Sequence, residues 1–320
     1  MYLVVFLSRK GSSKITSMIW LLWLLFSLVV TGTSSNDLQE AFARNGPITY
    51  KYRSYSDMVN LLTTLATKFP TLISVQVGQD KYNLGYPKDL QCTVSGKEEP
   101  CKQYIVRITN TTTWEGSRPE VFLSGALHGN ERIGPNAVME LILLLIDHAT
   151  REENYDAWIR HLVNTRTIIA MPMTNAWGYD HDERQELTVD TNRDYNYLQG
   201  PNCMEAMTSR VVNEVWRDHI FQLSCTFHAG MRAIAYEWGS KNHNPGDVSP
   251  DNTAQIQLVN SMKYYGGPFA NHAYYPVGTM NGLVYPVNGG FEDWAYAGIQ
   301  YHTDEMMILM LILFDSLVGK

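Results

Sequence analysis

Val121-Phe122-Leu123-Ser124-Gly125-Ala126-Leu127-His128-Gly129-Asn130-Glu131, followed closely by Gly134-Pro135, is the stretch from which the fold can be read. Its first seven residues form an apolar run of strand length. His128-Gly129-Asn130-Glu131 supplies the turn. From Asn136 to about His148, Val138, Leu141, Ile142 and Leu145 recur at helical spacing. Strand, tight turn and helix therefore follow in direct succession. A second apolar strand, Ser224-Cys225-Thr226-Phe227, ends in His228-Ala229-Gly230.

Working outward, the spacing predicts a helix over Tyr55–Lys68, with Met58, Leu61, Leu62 and Leu65 on one face and Pro70 ending it. Further strands are expected at 72–77, 103–109, 120–127, 167–173, 222–227 and 233–238. Further helices are expected over 156–162 and 204–219, and a last one over 252–264. Strands and helices alternate, which argues for an α/β layer fold in a single domain with helices on both faces. In such sheets, sites form at the carboxyl ends of strands. His128 and His228 each follow an apolar strand, and Asn175 follows another.

A His and a Glu three apart on a turn can aim an imidazole nitrogen and a carboxylate oxygen at one point. A catalytic zinc takes three such protein ligands and leaves one position for water. His128 and Glu131 would be two of them, and His228 the third. An incidental surface His gives the same single pair, and the second strand-ending His weighs against that alternative. His148, His161, His181, His219, His243, His272 and His302 fall in helical or loop contexts and read as ordinary surface or hydrogen-bonded residues.

Two further stretches bear on the site. Asp190-Thr191-Asn192-Arg193-Asp194-Tyr195 contains an Asn-Arg pair suited to clamping a carboxylate, because the guanidinium forks onto two oxygens and the amide adds a donor. Tyr285-Pro286-Val287-Asn288-Gly289-Gly290-Phe291-Glu292-Asp293-Trp294 reads as a Gly-rich loop that can move, with a Tyr at its tip. With His-x-x-Glu, Asn-Arg, a lone His, Tyr and Gly-Gly-x-x-Asp-Trp in this order, the chain resembles the zinc metallocarboxypeptidases, the carboxypeptidase A-like family. The resemblance runs from about Tyr50 to about Tyr301.

It implies a mixed, mostly parallel central sheet, one Zn2+ held by His128, Glu131 and His228, and an exopeptidase acting on peptide or protein C-termini. Asn192 and Arg193 would hold the substrate's free carboxylate. Arg184 would stabilise the developing oxyanion; an ordinary solvated Arg is the alternative. Tyr285, at the family's spacing before Asp293, would cap the substrate. The family also needs a Glu as general base and then general acid. Glu305 is the candidate, slightly closer to Trp294 than the family's spacing. Glu292 falls at the base of the pocket for the C-terminal side chain, where an acid suits Lys or Arg; an outward turn or a pairing with a protein cation is the alternative. Gly239 occupies the position at which another branch carries its acid.

The chain has 320 residues and a net charge of −7 without basic clusters, which argues against a nucleic-acid partner. Lys10 and Lys14 precede an apolar run over 18–30 and small residues over 31–35. That is the pattern of a signal peptide, and it implies a secreted or secretory-lumen protein with no stable membrane span once the leader is removed. An uncleaved leader acting as a membrane tether is the alternative. The expected organisation is a signal peptide over 1–35, a connector over 36–48, and the zinc carboxypeptidase-like domain over 49–320, truncated or altered after about 301. So short a connector leaves no room for a folded prosegment. Cys92 and Cys101 bracket a short polar loop, which favours a local bridge and leaves Cys203 with Cys225, although four Cys allow three pairings. Two alternatives stand beside the peptidase: a catalytically impaired relative that binds zinc and peptide, and a hydrolase of another amide.

Overall fold

The computed structural model describes residues 52–114, 116–151, 156–244, 246–268, 273–300 and 308–314, with only the backbone course given for 298–300 and 308–314. The first half runs α1 (Tyr55–Lys68), β1 (Ile73–Val77), α2 (Gly78–Tyr82), β2 (Gln91–Val94), β3 (Lys97–Pro100), β4 (Tyr104–Ile108), β5 (Glu120–Gly125), α3 (Ile133–Ala149), α4 (Ala157–Thr165) and β6 (Thr167–Met171). The second half runs α5 (Ala176–His181), α6 (Met207–Asp218), β7 (Phe221–Ala229), β8 (Ala233–Tyr236), α7 (Asn252–Gly266), β9 (Val277–Thr279), α8 (Met280–Leu283), α9 (Phe291–Gln300) and β10 (Ile308–Phe314).

Eight strands form one sheet in the order β1-β4-β6-β5-β7-β10-β8-β9. The pairings β6–β5, β5–β7, β7–β10 and β8–β9 are parallel, and the other three are antiparallel. This is the mixed, mostly parallel sheet of a single α/β domain. Burial follows position: every residue of interior β6 is buried, whereas edge strand β1 alternates.

Local sequence explains the helices that flank the sheet. α1 starts at a capping box, in which Ser54 Oγ accepts from the Asp57 N–H and the Asp57 carboxylate accepts from the Ser54 N–H. Its expected inward face is buried. α3 starts with Gly134 and Pro135 in its first turn, where a missing N–H costs nothing. Gly125 ends β5 so close to this helix that a Cβ there would lie 2.6 Å from Pro135 N.

Three expectations need correction. The helix over 252–266 is not the last, because α8 and α9 follow. Phe291–Trp294 is not loop but the first turn of α9, favoured by Glu292 and Asp293 near the helix N-terminus. Cys92 and Cys101 do bond, across the small β2–β3 hairpin. Cys203 and Cys225, by contrast, are free thiols. Cys225 is locked into interior strand β7 with no exposure.

Candidate metal and peptide site

The site is built where β5 and β7 run side by side. The two strands are parallel, with Gly125 opposite Phe227. Their carboxyl ends therefore leave the sheet at one edge. His228 is the penultimate residue of β7, and His128 lies three residues past β5. Ala126, between them, has φ of 53°, a conformation that costs a non-Gly residue energy and that clusters at functional sites. Gly129 has no space for a side chain, since a Cβ would run into the backbone of Gly178 and Glu183.

His128, Glu131 and His228 come together as the sequence predicts. Glu131 Oε1 stands 2.8 Å from His128 Nδ1, and Glu131 Oε2 stands 2.8 Å from His228 Nδ1. The two Nδ1 atoms are 3.1 Å apart. Tetrahedral zinc with bonds of about 2.0–2.1 Å separates its ligands by about 3.3 Å, so this triangle is close to the size a zinc ion requires. Burial pulls both imidazoles toward the neutral form and takes His228 down to about 4. At His128 the Glu131 charge and the Asp190 hydrogen bond outweigh burial and raise it. Burial opposes the Glu131 charge too, yet the two imidazoles hold that carboxyl well below the usual range. A buried carboxylate and two imidazoles aimed at one point form a donor set that fits a divalent cation.

The segment between α5 and α6 carries the remaining polar groups. Asp190 Oδ1 lies 3.1 Å from His128 Nε2, and sequence reading gave that residue no such role. A carboxylate on the far ring nitrogen keeps Nδ1 available as a donor atom. Arg184 is also here: Nη2 lies 2.8 Å from His128 Nε2 and 3.2 Å from Asp190 Oδ2, and Nη1 lies 3.4 Å from Glu131 Oε1. Two buried carboxylates anchor the loop to the start of α6. Glu186 accepts from Met207 N at 2.5 Å and Thr208 N at 3.0 Å; Asp194 accepts from Glu205 N at 3.0 Å and Ala206 N at 2.9 Å.

Asn192 is buried, accepting from Phe291 N at 2.8 Å and donating to Glu292 Oε2 at 3.3 Å. Arg193 is half-buried, and its guanidinium carbon lies 5.9 Å from the centre of the half-exposed Tyr285 ring. Glu292 is buried rather than turned outward, and no cation pairs with it among the described residues. Burial, then the neighbouring Asp293 charge, pushes its carboxyl up to about 7. Asp293 itself accepts from the Gly239 and Ser240 N–H groups at 2.8 Å each. Ring packing of Phe291 and Trp294 against Tyr195 and Trp216 fixes the start of α9 beside Asn192. Glu305 lies outside the described residues.

Comparison with known proteins agrees with this geometry. A family profile described as zinc carboxypeptidase matches residues 93–307. Carboxypeptidase D of Homo sapiens is 26% identical over 293 residues, covering 84% of this chain and 19% of that protein. This chain thus spans about a fifth of the length of such relatives. Carboxypeptidase B of Astacus astacus is 21% identical, with 78% of this chain and 84% of that protein covered. Among solved structures, carboxypeptidase A from Helicoverpa armigera superposes with a TM-score of 0.65 at 17% identity, covering 96% of this chain and 73% of that one. Thrombin activatable fibrinolysis inhibitor gives 0.63 at 12% identity, covering 98% and 90%. At such identities the two structures speak for the fold alone.

Proposed function

This chain belongs to the zinc carboxypeptidase family, and from that premise we propose that it is a zinc-dependent exopeptidase releasing C-terminal residues from peptides or proteins, with a preference for Lys and Arg. The observation that carries the reading is the buried triangle of His128, Glu131 and His228 at the ends of two adjacent parallel strands.

His128, Glu131 and His228 would hold the zinc, which when bound polarises the scissile carbonyl and makes water a nucleophile near neutral pH. Asp190 accepts a hydrogen bond from the His128 Nε2–H and so fixes the tautomer. Arg184 is partly exposed and swings from Glu131 and Asp190 to the oxyanion that develops on the attacked carbonyl. Arg193 takes the substrate's terminal carboxylate, with Asn192 beside it. A free carboxylate at the chain end is what restricts cleavage to the last residue. Tyr285 closes over the bound peptide. Glu305 accepts the proton of the attacking water and passes it to the leaving amine. Glu292 meets the cationic side chain of a C-terminal Lys or Arg, which offsets the cost of burying its charge. The leader-like N-terminus and the Cys92–Cys101 bridge support a place in the secretory pathway.

The specificity claim is tested by release rates from peptides that differ only in ending with Arg or Phe, for the unmutated protein and for Glu292→Ile. The Arg peptide is expected to be cut faster, and the order is expected to reverse in the variant. Faster release of Phe by the unmutated protein would overturn the basic preference.

A further inference from the structure

Every polar atom of Asn192 is engaged within the chain. Its backbone N–H donates to Asp190 Oδ1 at 3.0 Å, and its carbonyl accepts from Arg193 Nη1 at 2.6 Å. Its side-chain oxygen accepts from Phe291 N, and its side-chain nitrogen donates to Glu292 Oε2. Those last two partners are consecutive residues in the first turn of α9. The amide is thus turned toward the Glu292 carboxylate.

Glu292 complements this picture. It is 2% exposed, and its second oxygen, Oε1, has no hydrogen-bond partner among the described residues. Gly239 and Gly290 leave room around that atom: a Cβ on Gly239 would lie 3.2 Å from it, and one on Gly290 would collide with it. A buried carboxylate oxygen without a partner, kept clear by two glycines, is a costly arrangement unless something arrives to meet it.

We propose that Asn192 is a positioning residue for specificity: it grips one oxygen of Glu292 so that Oε1 faces the cation of a C-terminal Lys or Arg side chain. The proposal rests on the reading of the site as a receiver of peptide C-termini. Without the amide, the carboxylate loses one of the bonds that hold its orientation and favour its charge. The groups around it set that balance. Burial, Asp293 and the buried Glu237 favour the proton, the Tyr195 phenol stands nearby, and the backbone N–H of Glu292 itself, then Arg193, then Asn192 favour the charge. Removing Asn192 therefore raises the pH at which the acid ionises and weakens cation recognition most near neutral pH.

The test is calorimetric binding of peptides whose last amide is replaced by a reduced, non-cleavable linkage, ending in Arg or Phe, each as free acid and as C-terminal amide, with the zinc-loaded full chain. Asn192→Ala is expected to lower the Arg-over-Phe affinity ratio about tenfold at neutral pH. Raising the pH to about 9, where the acid ionises without help, should restore most of that ratio. In a Glu292→Gln background, Asn192→Ala should change the ratio by less than about twofold, because the charge that Asn192 serves is gone. Asn192→Ser, which keeps an acceptor for the Phe291 N–H, supplies the same comparison if the Ala variant does not fold. An equal loss for Arg and Phe peptides in both backgrounds and at both pH values would make Asn192 a carboxylate holder and overturn the proposal. If the unmutated protein binds amides as well as free acids, the C-terminus reading fails first and the proposal falls with it.

Discussion

At the scale of single residues, the contact between Asp190 and His128 spans 62 positions in sequence, which is why spacing alone did not reveal it. His128, Glu131 and His228 were legible because each sits at a strand end or turn that hydrophobic pattern marks. The orientation of Asn192 was not legible, since it depends on where α9 begins. Two predictions belong here. Asp190→Asn should weaken zinc binding about 10- to 100-fold, by loosening the ring whose Nδ1 serves as donor; competition against a fluorescent zinc chelator measures it, and an unchanged affinity would remove Asp190 from the site. Glu292, raised to about 7, is neutral below that value and charged above it. Preference for Arg-ending over Phe-ending peptides should therefore grow as pH rises from about 6 to about 8. A ratio that is flat across that window would mean the acid does not face the substrate.

At the scale of elements, the β2–β3 hairpin is too short to hold together on its own, and the Cys92–Cys101 bond closes it. A loop with a separation of 9 residues corresponds to about 2–3 kcal/mol of chain entropy. Cys92→Ala with Cys101→Ala should lower unfolding stability by an amount in that range, read from denaturant midpoints. Loss well below 1 kcal/mol would show the hairpin to be held by its packing alone. The most regular elements, α1, α3 and β5 to β7, were readable from apolar spacing. The hairpin was not, because its strands are polar and short, and its bridge was suggested only by the bracketed loop. The start of α9 was missed because Gly289-Gly290 dominates the reading of that stretch, while its helical character comes from Glu292, Asp293 and the rings of Phe291 and Trp294.

At the scale of the molecule, the order of strands decides what the chain can do. β5 and β7 start 101 residues apart, at Glu120 and Phe221, about a third of a chain of 320, yet they are neighbours in the sheet. Pairing them in parallel puts both histidines at one edge and lets the segment between α5 and α6 fold over them with Asp190, Asn192 and Arg193. Alternation of strands and helices announced the α/β class but could not supply this order, which follows from long-range packing. The central claim, that this edge is a zinc site acting on free C-termini, is tested most directly by mass spectrometry of an Arg-ending peptide and its C-terminal amide after incubation with the purified protein, with and without a zinc chelator. The account predicts loss of one C-terminal Arg from the free acid alone, abolished by chelator and restored by added zinc. Equal shortening of the amide, or shortening that survives the chelator, would contradict it.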